Sequence, residues 1–521
     1  MQISNVFSRG TLPPPQGGGG SLGQWQALRE RQERILQWRT IQFWWYPIAL
    51  VLFGAILAAY LGQSAMDYPK ETFGGIAGAL LFFWAIRRLE FGLVVLAVAA
   101  TPFVPTALKM PGFYISPAIP LLVLLFFVSL LHVAFRNKEP LVLPSIRTIW
   151  PLIGLVALAC ISEAFSHTYW EPDVAKVVLG NPIQVDEAAG LFIYSVPLLI
   201  VFVCGVALSK KSQWSRYVLL GLLGAAVVDA LVIIVKYKSV GADVYTFRYT
   251  SPSIGWMPLE ALAQLLGLGC IIGYAHVLGA PNWRQRIIYA CPTGLCLLAI
   301  YFSLENSWWT EVAVALLVMT IVYSRKLLLY YAIGGLALIP FLPTFIQKLQ
   351  QKGQVDALRL VIWQDMLRVW HKRPVLGVGP GNVWVYDQVS THLPSGLRNI
   401  NKSGLGVAHE GYLQTLTELG PLGLLCQISF LAIMLLAAWR LYRYAKAEGK
   451  LSEKIVGLAG MGLVCGAAAG DLTSSYFFLP PRQALHFVNL PMAMMHWAVY
   501  GCVLYHDKIR RLALKGIKIE D

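Results

Sequence analysis

Apolar runs of about 20 residues recur along the chain, separated by short polar or basic stretches. The runs are continuous rather than alternating. A run of that length crosses a hydrocarbon core as a helix, and a transmembrane barrel would need alternation instead. Fourteen candidate spans are expected, at about 41–62, 73–86, 90–107, 113–135, 150–165, 189–208, 217–235, 255–280, 287–304, 308–323, 327–346, 412–439, 455–470 and 484–505. Several are short or interrupted by proline, so the expected fold is all-α, a polytopic membrane protein of 12–14 transmembrane helices. In lipid, each helix bonds its own main-chain groups. One polar stretch breaks the rhythm, a large loop over 347–410. It divides the chain into a tail and lead-in helix at 1–40, a bundle at 41–346, the loop, a second group of spans at 411–506 and a basic tail at 507–521.

Composition agrees with this pattern. The chain is 57% hydrophobic and 13% charged, where a soluble domain is nearer half apolar and a quarter charged. The net charge of +15 fits the basic cytoplasmic loops of membrane proteins better than a nucleic-acid partner. With the N-terminus in the cytoplasm, the clusters Arg87-Arg88, Lys210-Lys211, Arg325-Lys326 and Arg440, Arg443, Lys446 all fall on that side. Both termini are then expected inside and the 347–410 loop outside. Residues Thr11–Ser21 read as a flexible tail rather than a secretory signal. The eight cysteines all lie in apolar segments with no metal-ligand spacing, and no metal or cofactor is expected.

Within the loop, Leu358, Val361, Ile362, Met366, Val369 and Trp370 recur at helical spacing and predict an amphipathic helix that Pro374 stops. Arg359, Asp365, Arg368, Lys372 and Arg373 surround it. Such a helix lies on a membrane surface, where its basic side can cover an anionic headgroup. The glycines of Gly377-Val378-Gly379-Pro380-Gly381-Asn382 follow a helix, not a strand. They predict a turn of close backbone approach, not a dinucleotide site. Another outer loop places Arg248 among aromatics just before a span, as an interfacial anchor or an anion ligand. Glu163, Asp229, Glu260, Glu311 and Glu418 fall in the outer half of their spans, and Asp471 at an outer boundary. Ionisable groups inside a span face a polar interior. A transporter would favour the midplane, so this placement favours chemistry at the outer face.

The most informative run is His409-Glu410, nine residues, then Gly420-Pro421-Leu422-Gly423. Together with Arg359, Trp363, Pro374 and Gly377-Val378-Gly379, it resembles the O-antigen ligase and polymerase superfamily of bacterial envelope glycan enzymes. Arg248 stands where that family has an essential Arg in an earlier periplasmic loop. Two departures are visible: Glu410 replaces a small amide or hydroxyl, and Glu305-Asn306-Ser307-Trp308-Trp309 lacks the family's Ser-Arg before a Trp.

The resemblance implies a GT-C-like fold in the bacterial cytoplasmic membrane, with the active site facing the periplasm. It implies metal-independent, inverting transfer of a preassembled glycan from undecaprenyl diphosphate to an acceptor. That acceptor is a lipid A–core oligosaccharide for a ligase, another lipid-linked repeat for a polymerase, or a protein hydroxyl. On this reading Arg248 and Arg359, with Arg398 more loosely, bind the diphosphate, since guanidinium groups stabilise leaving-group charge bidentately. His409 takes the acceptor proton. Glu410 either orients His409 or raises its basicity, or simply hydrates at the surface. Gly377, Gly379, Gly420 and Gly423 are turn residues. The competing class is a transporter or flippase for lipid-linked sugars, which leaves the basic loop helix and His409 unexplained.

Overall fold

The computed structural model describes residues 84, 88–99, 108–110, 113–115, 118–135, 141–168, 184–209, 211–241, 253–254, 257–303, 306–329, 360, 362–383, 410–472 and 489–517. All of them belong to one compact unit, Ala79–Asp521. The tail at 1–40, the expected span 41–62, and nearly all of the spans 73–86 and 327–346 lie outside the described residues.

Eleven helices carry the described fold: α1 (Leu89–Ala99), α2 (Ala118–Phe135), α3 (Ile146–Thr168), α4 (Gln184–Leu208), α5 (Trp214–Val240), α6 (Leu259–Gly279), α7 (Trp283–Ser303), α8 (Asn306–Tyr323), α9 (Gly411–Glu448), α10 (Leu451–Gly470) and α11 (Asn489–Ala513). Among the described residues, seven helical segments are long and apolar enough to cross a membrane, and segments of α2 and α8 are shorter apolar helices. The chain is thus a helical, polytopic membrane protein, as its hydrophobic pattern predicts. Large apolar side chains such as Phe127, Leu131, Val235, Ile288, Leu425 and Leu436 point outward. Large apolar side chains exposed on several helices suit a lipid surround.

Two details depart from the expected all-helical pattern. β1 (Leu108–Met110) pairs antiparallel with β2 (Phe113–Ile115), and β3 (Ser253–Ile254) with β4 (Met257–Pro258). Each short pair takes residues that hydropathy alone assigned to the edge of a span. Proline explains both: Pro111 cannot donate within a helix, and Pro258 precedes the helical start at Leu259. The helical part of the 113–135 run therefore begins at Ala118, and that of the 255–280 run at Leu259.

α6 forms the centre and is almost wholly enclosed from Leu262 onward. It packs against α5, α7, α8 and α10. α10 in turn packs against α8 and α9, and α11 against α4 and α9. Small residues permit this proximity. A Cβ at Gly457 of α10 would lie 2.8 Å from the main-chain nitrogen of Tyr442 on α9, and one at Gly466 would lie 2.8 Å from the main-chain oxygen of Glu311 on α8.

Candidate functional site

α9 is not one straight helix. At Gly420 the backbone takes φ 70, ψ −172, a region open essentially only to glycine. Pro421 follows and has no N–H to return to Thr417. The carbonyls ending the 411–419 segment therefore lose their ordinary helical donors. An orphaned carbonyl in an apolar interior is costly, and the Gly377–Asn382 turn supplies the missing partners. Val378 N donates to Thr417 O at 2.9 Å, and Gly379 N to Glu418 O at 3.0 Å. Ser162 Oγ of α3 donates to Leu376 O at 2.8 Å and to Glu418 O at 3.2 Å.

The expected turn glycines meet at this dock. Gly377 has φ 70, and a Cβ on it would lie 2.4 Å from the main chain of Glu418. A Cβ on Gly420 would lie 2.1 Å from Val375 O. Gly379 has φ 98 and presents its N–H to the break. A Cβ on Gly423 would collide with Leu419 at 2.3 Å, because the break folds the two segments together. The two motifs, about 40 residues apart in the sequence, are thus two halves of one joint.

Helix α3 holds the turn from the other side. Glu163 Oε2 accepts from Asn382 Nδ2 at 3.2 Å, and Arg373 Nη1 donates to Phe165 O at 3.2 Å. Residues 362–372 form the expected loop helix. Its Asp365, Met366 and Val369 are buried against protein, so it is a packed element rather than a helix lying free on a membrane surface. The Glu418 side chain ties the joint to α4 and to its own segment: Tyr194 Oη donates to Oε2 at 2.6 Å, and Gln414 Nε2 donates to Oε1.

The break also fixes the direction of the 411–419 segment. Gly411 N donates to Asp471 O at 2.7 Å, and Gln427 Nε2 donates to Asp471 Oδ2 at 3.1 Å. In a straight helix those two positions would stand about 24 Å apart at 1.5 Å per residue. Meeting one aspartate requires the first segment to run back alongside the second. Tyr412 Oη, donating to Ala468 O at 2.8 Å, confirms the direction. Glu410 therefore sits at the level of the end of α10, next to Gly411 and Asp471.

Glu410 is the N-cap of α9, its carboxylate accepting from Leu413 N. Burial pushes its carboxyl above the usual range, against the opposing pull of the Leu413 and Tyr412 N–H groups. The departure noted at this position has a structural reading: asparagine and serine are the best N-caps, and a glutamate carboxylate fills the same place. Further inward, His496 Nε2 of α11 lies 3.4 Å from Glu311 Oε1 of α8, both side chains fully buried. Tyr500 stands within electrostatic reach of Glu311, Asp471 and Tyr412. Glu311 and His496 thus form a buried polar pair, with Glu311 against Gly466 of α10, the helix that Asp471 ends.

Of the expected site residues, Glu410, Gly377, Gly379, Gly420 and Gly423 fall within this assembly. His409, Arg248, Arg359 and Arg398 lie outside the described residues. Among the acids, Glu163 and Glu418 belong to the joint, Asp471 to the returning segment and Glu311 to the pair with His496. Asp229 is buried on α5 and makes no hydrogen bond among the described residues; the side chain of Glu260 lies outside the described set. Ser162, Tyr194, Gln427 and His496 are additions that the sequence pattern does not single out. His496 carries the signal that could have found it, an ionisable ring inside an apolar span.

A helical membrane protein with a broken helix, its freed carbonyls taken up by a glycine turn from the preceding loop, is the class that fold and site define. Residues 292–428, roughly a quarter of the chain, match the family model described as O-antigen ligase. The match contains both halves of the joint and supports assignment of the chain to the O-antigen ligase and polymerase superfamily of glycosyltransferase-like enzymes. No curated protein matches the chain.

Two outcomes follow from this geometry. Gly420→Ala combines a main-chain strain on the order of 1–3 kcal/mol with the Val375 collision, and Gly377→Ala strikes Glu418. Both are expected to lower the melting temperature of the purified protein and to make the 373–382 turn sensitive to protease. Gly224→Ala, on α5 with nothing within 4 Å of its Cβ, is the control and leaves both unchanged or gains up to about 1 kcal/mol. Equal behaviour of all three variants would remove the joint from the account.

Glu410→Asn tests the cap. Asparagine keeps the N-cap bond without a charge, so fold and most activity are expected to survive, whereas Glu410→Ala loses about 1 kcal/mol of helix stability. The sign with pH is also fixed. A carboxyl raised in the folded state contributes stability that is fully present below its unfolded value, roughly 4.3, and is lost as pH rises through the folded value. Thermal melts should show the wild type falling relative to Glu410→Asn across that window. An inactive but well-folded Glu410→Asn would instead assign the carboxylate a chemical task.

Proposed function

We propose that the chain is a membrane glycosyltransferase of the O-antigen ligase type. It transfers a preassembled glycan from undecaprenyl diphosphate to a hydroxyl of an acceptor such as lipid A–core oligosaccharide, at the outer face of the bacterial cytoplasmic membrane. The observation that carries this reading is that the matched segment contains a physically joined turn and broken helix, with the residue next to His409 at the start of the returning segment. Both termini are placed in the cytoplasm by the Lys and Arg clusters, which puts the 347–410 loop and the joint on the outer side.

In this reading the acceptor oxygen attacks the anomeric carbon of the donor as the bond to the diphosphate breaks. The configuration inverts, and the lipid diphosphate leaves with the electron pair. Arg248, Arg359 and Arg398 stabilise the charge that grows on it. His409 removes the acceptor proton, a role for which an imidazole is suited near neutral pH. The returning segment has a stated purpose here. It carries the start of α9, the residue after Glu410, back from Gly420 to the end of α10 at Asp471. Ligase is preferred to polymerase on the description of the matched family. Against a transporter stands the basic loop helix over 362–372 with His409 beyond it in the chain, which a permeation path leaves unexplained.

Loss of a general base costs about 10²–10⁴-fold in rate. His409→Ala is therefore expected to be folded and nearly inactive while still binding the lipid-linked donor. Arg248→Ala and Arg359→Ala should weaken donor binding, with only partial rescue by lysine, which cannot make the bidentate pair. Donor affinity and turnover, measured together in detergent with purified protein, decide the matter. If donor affinity collapses in His409→Ala and saturating donor restores turnover, His409 is a binding residue and the base lies elsewhere. Turnover in detergent also excludes the transporter, which needs a sealed membrane.

A further inference from the structure

The loop helix over 362–372 packs by one face and presents another. Asp365, Met366 and Val369 turn inward, while Leu367, Arg368, His371 and Lys372 are exposed. Arg368 stands one helical turn from both His371 and Lys372. Trp363 and Trp370, two turns apart on the helix, are half-buried along the edge of this face. The Trp370 indole is held in place: Nε1 donates to Pro374 O at 3.1 Å, and its ring lies 5.0 Å from that of His371 at a tilt of 30°. The helix leads directly into the joint, since Arg373 N donates to Trp370 O and Gly377 N to Arg373 O.

Among the described residues Arg368 meets no carboxylate, and Asp365, the acid of the helix, is buried. Like charges four residues apart on a helix repel, so Arg368 and Lys372 together favour an anion. A phosphate monoester carries a charge of about −1.5 to −2 at neutral pH, which two cations match, and a guanidinium fork bonds its oxygens in pairs. The aromatic edge narrows the choice of what carries that phosphate. An indole offers a flat apolar surface with a polar tip, and the Trp370 tip is already bonded, which leaves the flat surface to receive the C–H face of a sugar ring. A free phosphate or a phospholipid headgroup uses the cations and leaves the indoles idle. A phosphorylated sugar uses both.

We propose that this face of the loop helix binds the acceptor of the transfer reaction, and that the acceptor is a phosphate-bearing saccharide. The inference rests on the reading of the chain as a glycan transferase and adds to it the chemical class of the acceptor and its docking surface. Arg368 and Lys372 take the phosphate, and Trp370, with Trp363 further along the edge, takes the sugar ring. These side chains bind and orient. None of them is among the residues assigned to the donor diphosphate or to the acceptor proton.

The test uses the full-length protein in an uncharged detergent, with deacylated lipid A–core oligosaccharide as the probe, before and after removal of its phosphates. The phosphorylated sugar is expected to bind more tightly, and the more so at low salt. Arg368→Gln and Lys372→Gln should each weaken that binding by up to about fivefold, the reach of an exposed ion pair, and should hardly touch the dephosphorylated sugar. Trp370→Phe should weaken both sugars. Lys372→Arg should keep wild-type affinity, which guards against a folding artefact, and Lys515→Gln in the C-terminal turn should match the wild type. In turnover assays Arg368→Gln should raise the acceptor KM and leave the donor KM unchanged. Equal affinity for the two sugars would overturn the proposal, as would undiminished binding in the Arg368→Gln/Lys372→Gln double variant. Inorganic phosphate or phosphatidylglycerol competing as effectively as the phosphorylated sugar would also reject it. Transfer with an unchanged acceptor KM in the double variant would overturn this surface alone, whereas sugar binding as predicted without any transfer would overturn the glycosyltransferase reading.

Discussion

A helix in a low-dielectric surround must satisfy every carbonyl it exposes, and α9 exposes several at Gly420-Pro421. The rest of the site depends on how they are satisfied. In water a broken helix end would hydrate. Inside a bundle the donors must come from protein, and irregular backbone at membrane depth survives only where protein or a polar cavity covers it. Here the covering element is the turn over 377–382, with the N–H groups of Val378 and Gly379 aimed at the two freed carbonyls. Removing those donors would leave buried acceptors unpaired, which costs more than the bonds contribute when made.

The other features follow from that requirement. Backbone can approach backbone this closely only without side chains, which accounts for Gly377 and Gly420 together. The turn must also be held from outside, and α3 does so through Ser162, Glu163 and the carbonyl of Phe165. Glu418, an acid inside a span, serves the joint through both its side chain and its main chain. Once the helix is broken there, the 411–419 segment is free to run back against α10, where Asp471 receives Gly411 and Gln427. The start of α9 then lies against the end of α10, beside Asp471 and Ala468. A reaction that creates charge gains from such a setting, because fixed dipoles and ions act more strongly where water is excluded.

Hydropathy made most of this fold legible. Span length, continuity and basic loops led to a helical membrane protein, and the apolar face of Met366 and Val369 marked the loop helix. The glycine motifs were visible as places of close approach, and the acids as polar interior. Their partners were not visible. Nothing in the spacing of Gly377 and Gly420 says that they face each other, because the contact is between main chains and leaves no side-chain signature. The returning segment was hidden for a related reason. Residues 412–439 read as one apolar run, and a single Gly-Pro pair does not reveal how sharply the chain turns. The short strand pairs escape hydropathy because the prolines at 111 and 258 interrupt runs that otherwise stay apolar. His496 shows in the sequence only as an ionisable ring inside an apolar span.

The direction of the 411–419 segment is the central claim and can be measured as a single distance. Spin labels at Leu413 and Ile428, in otherwise wild-type full-length protein, report it by electron paramagnetic resonance. A straight helix separates the two positions by roughly 22 Å along its axis at 1.5 Å per residue. The folded-back segment predicts a distance well short of that, with a narrow distribution. A distribution centred near the straight-helix value would contradict the broken helix and with it the joint on which the site is built.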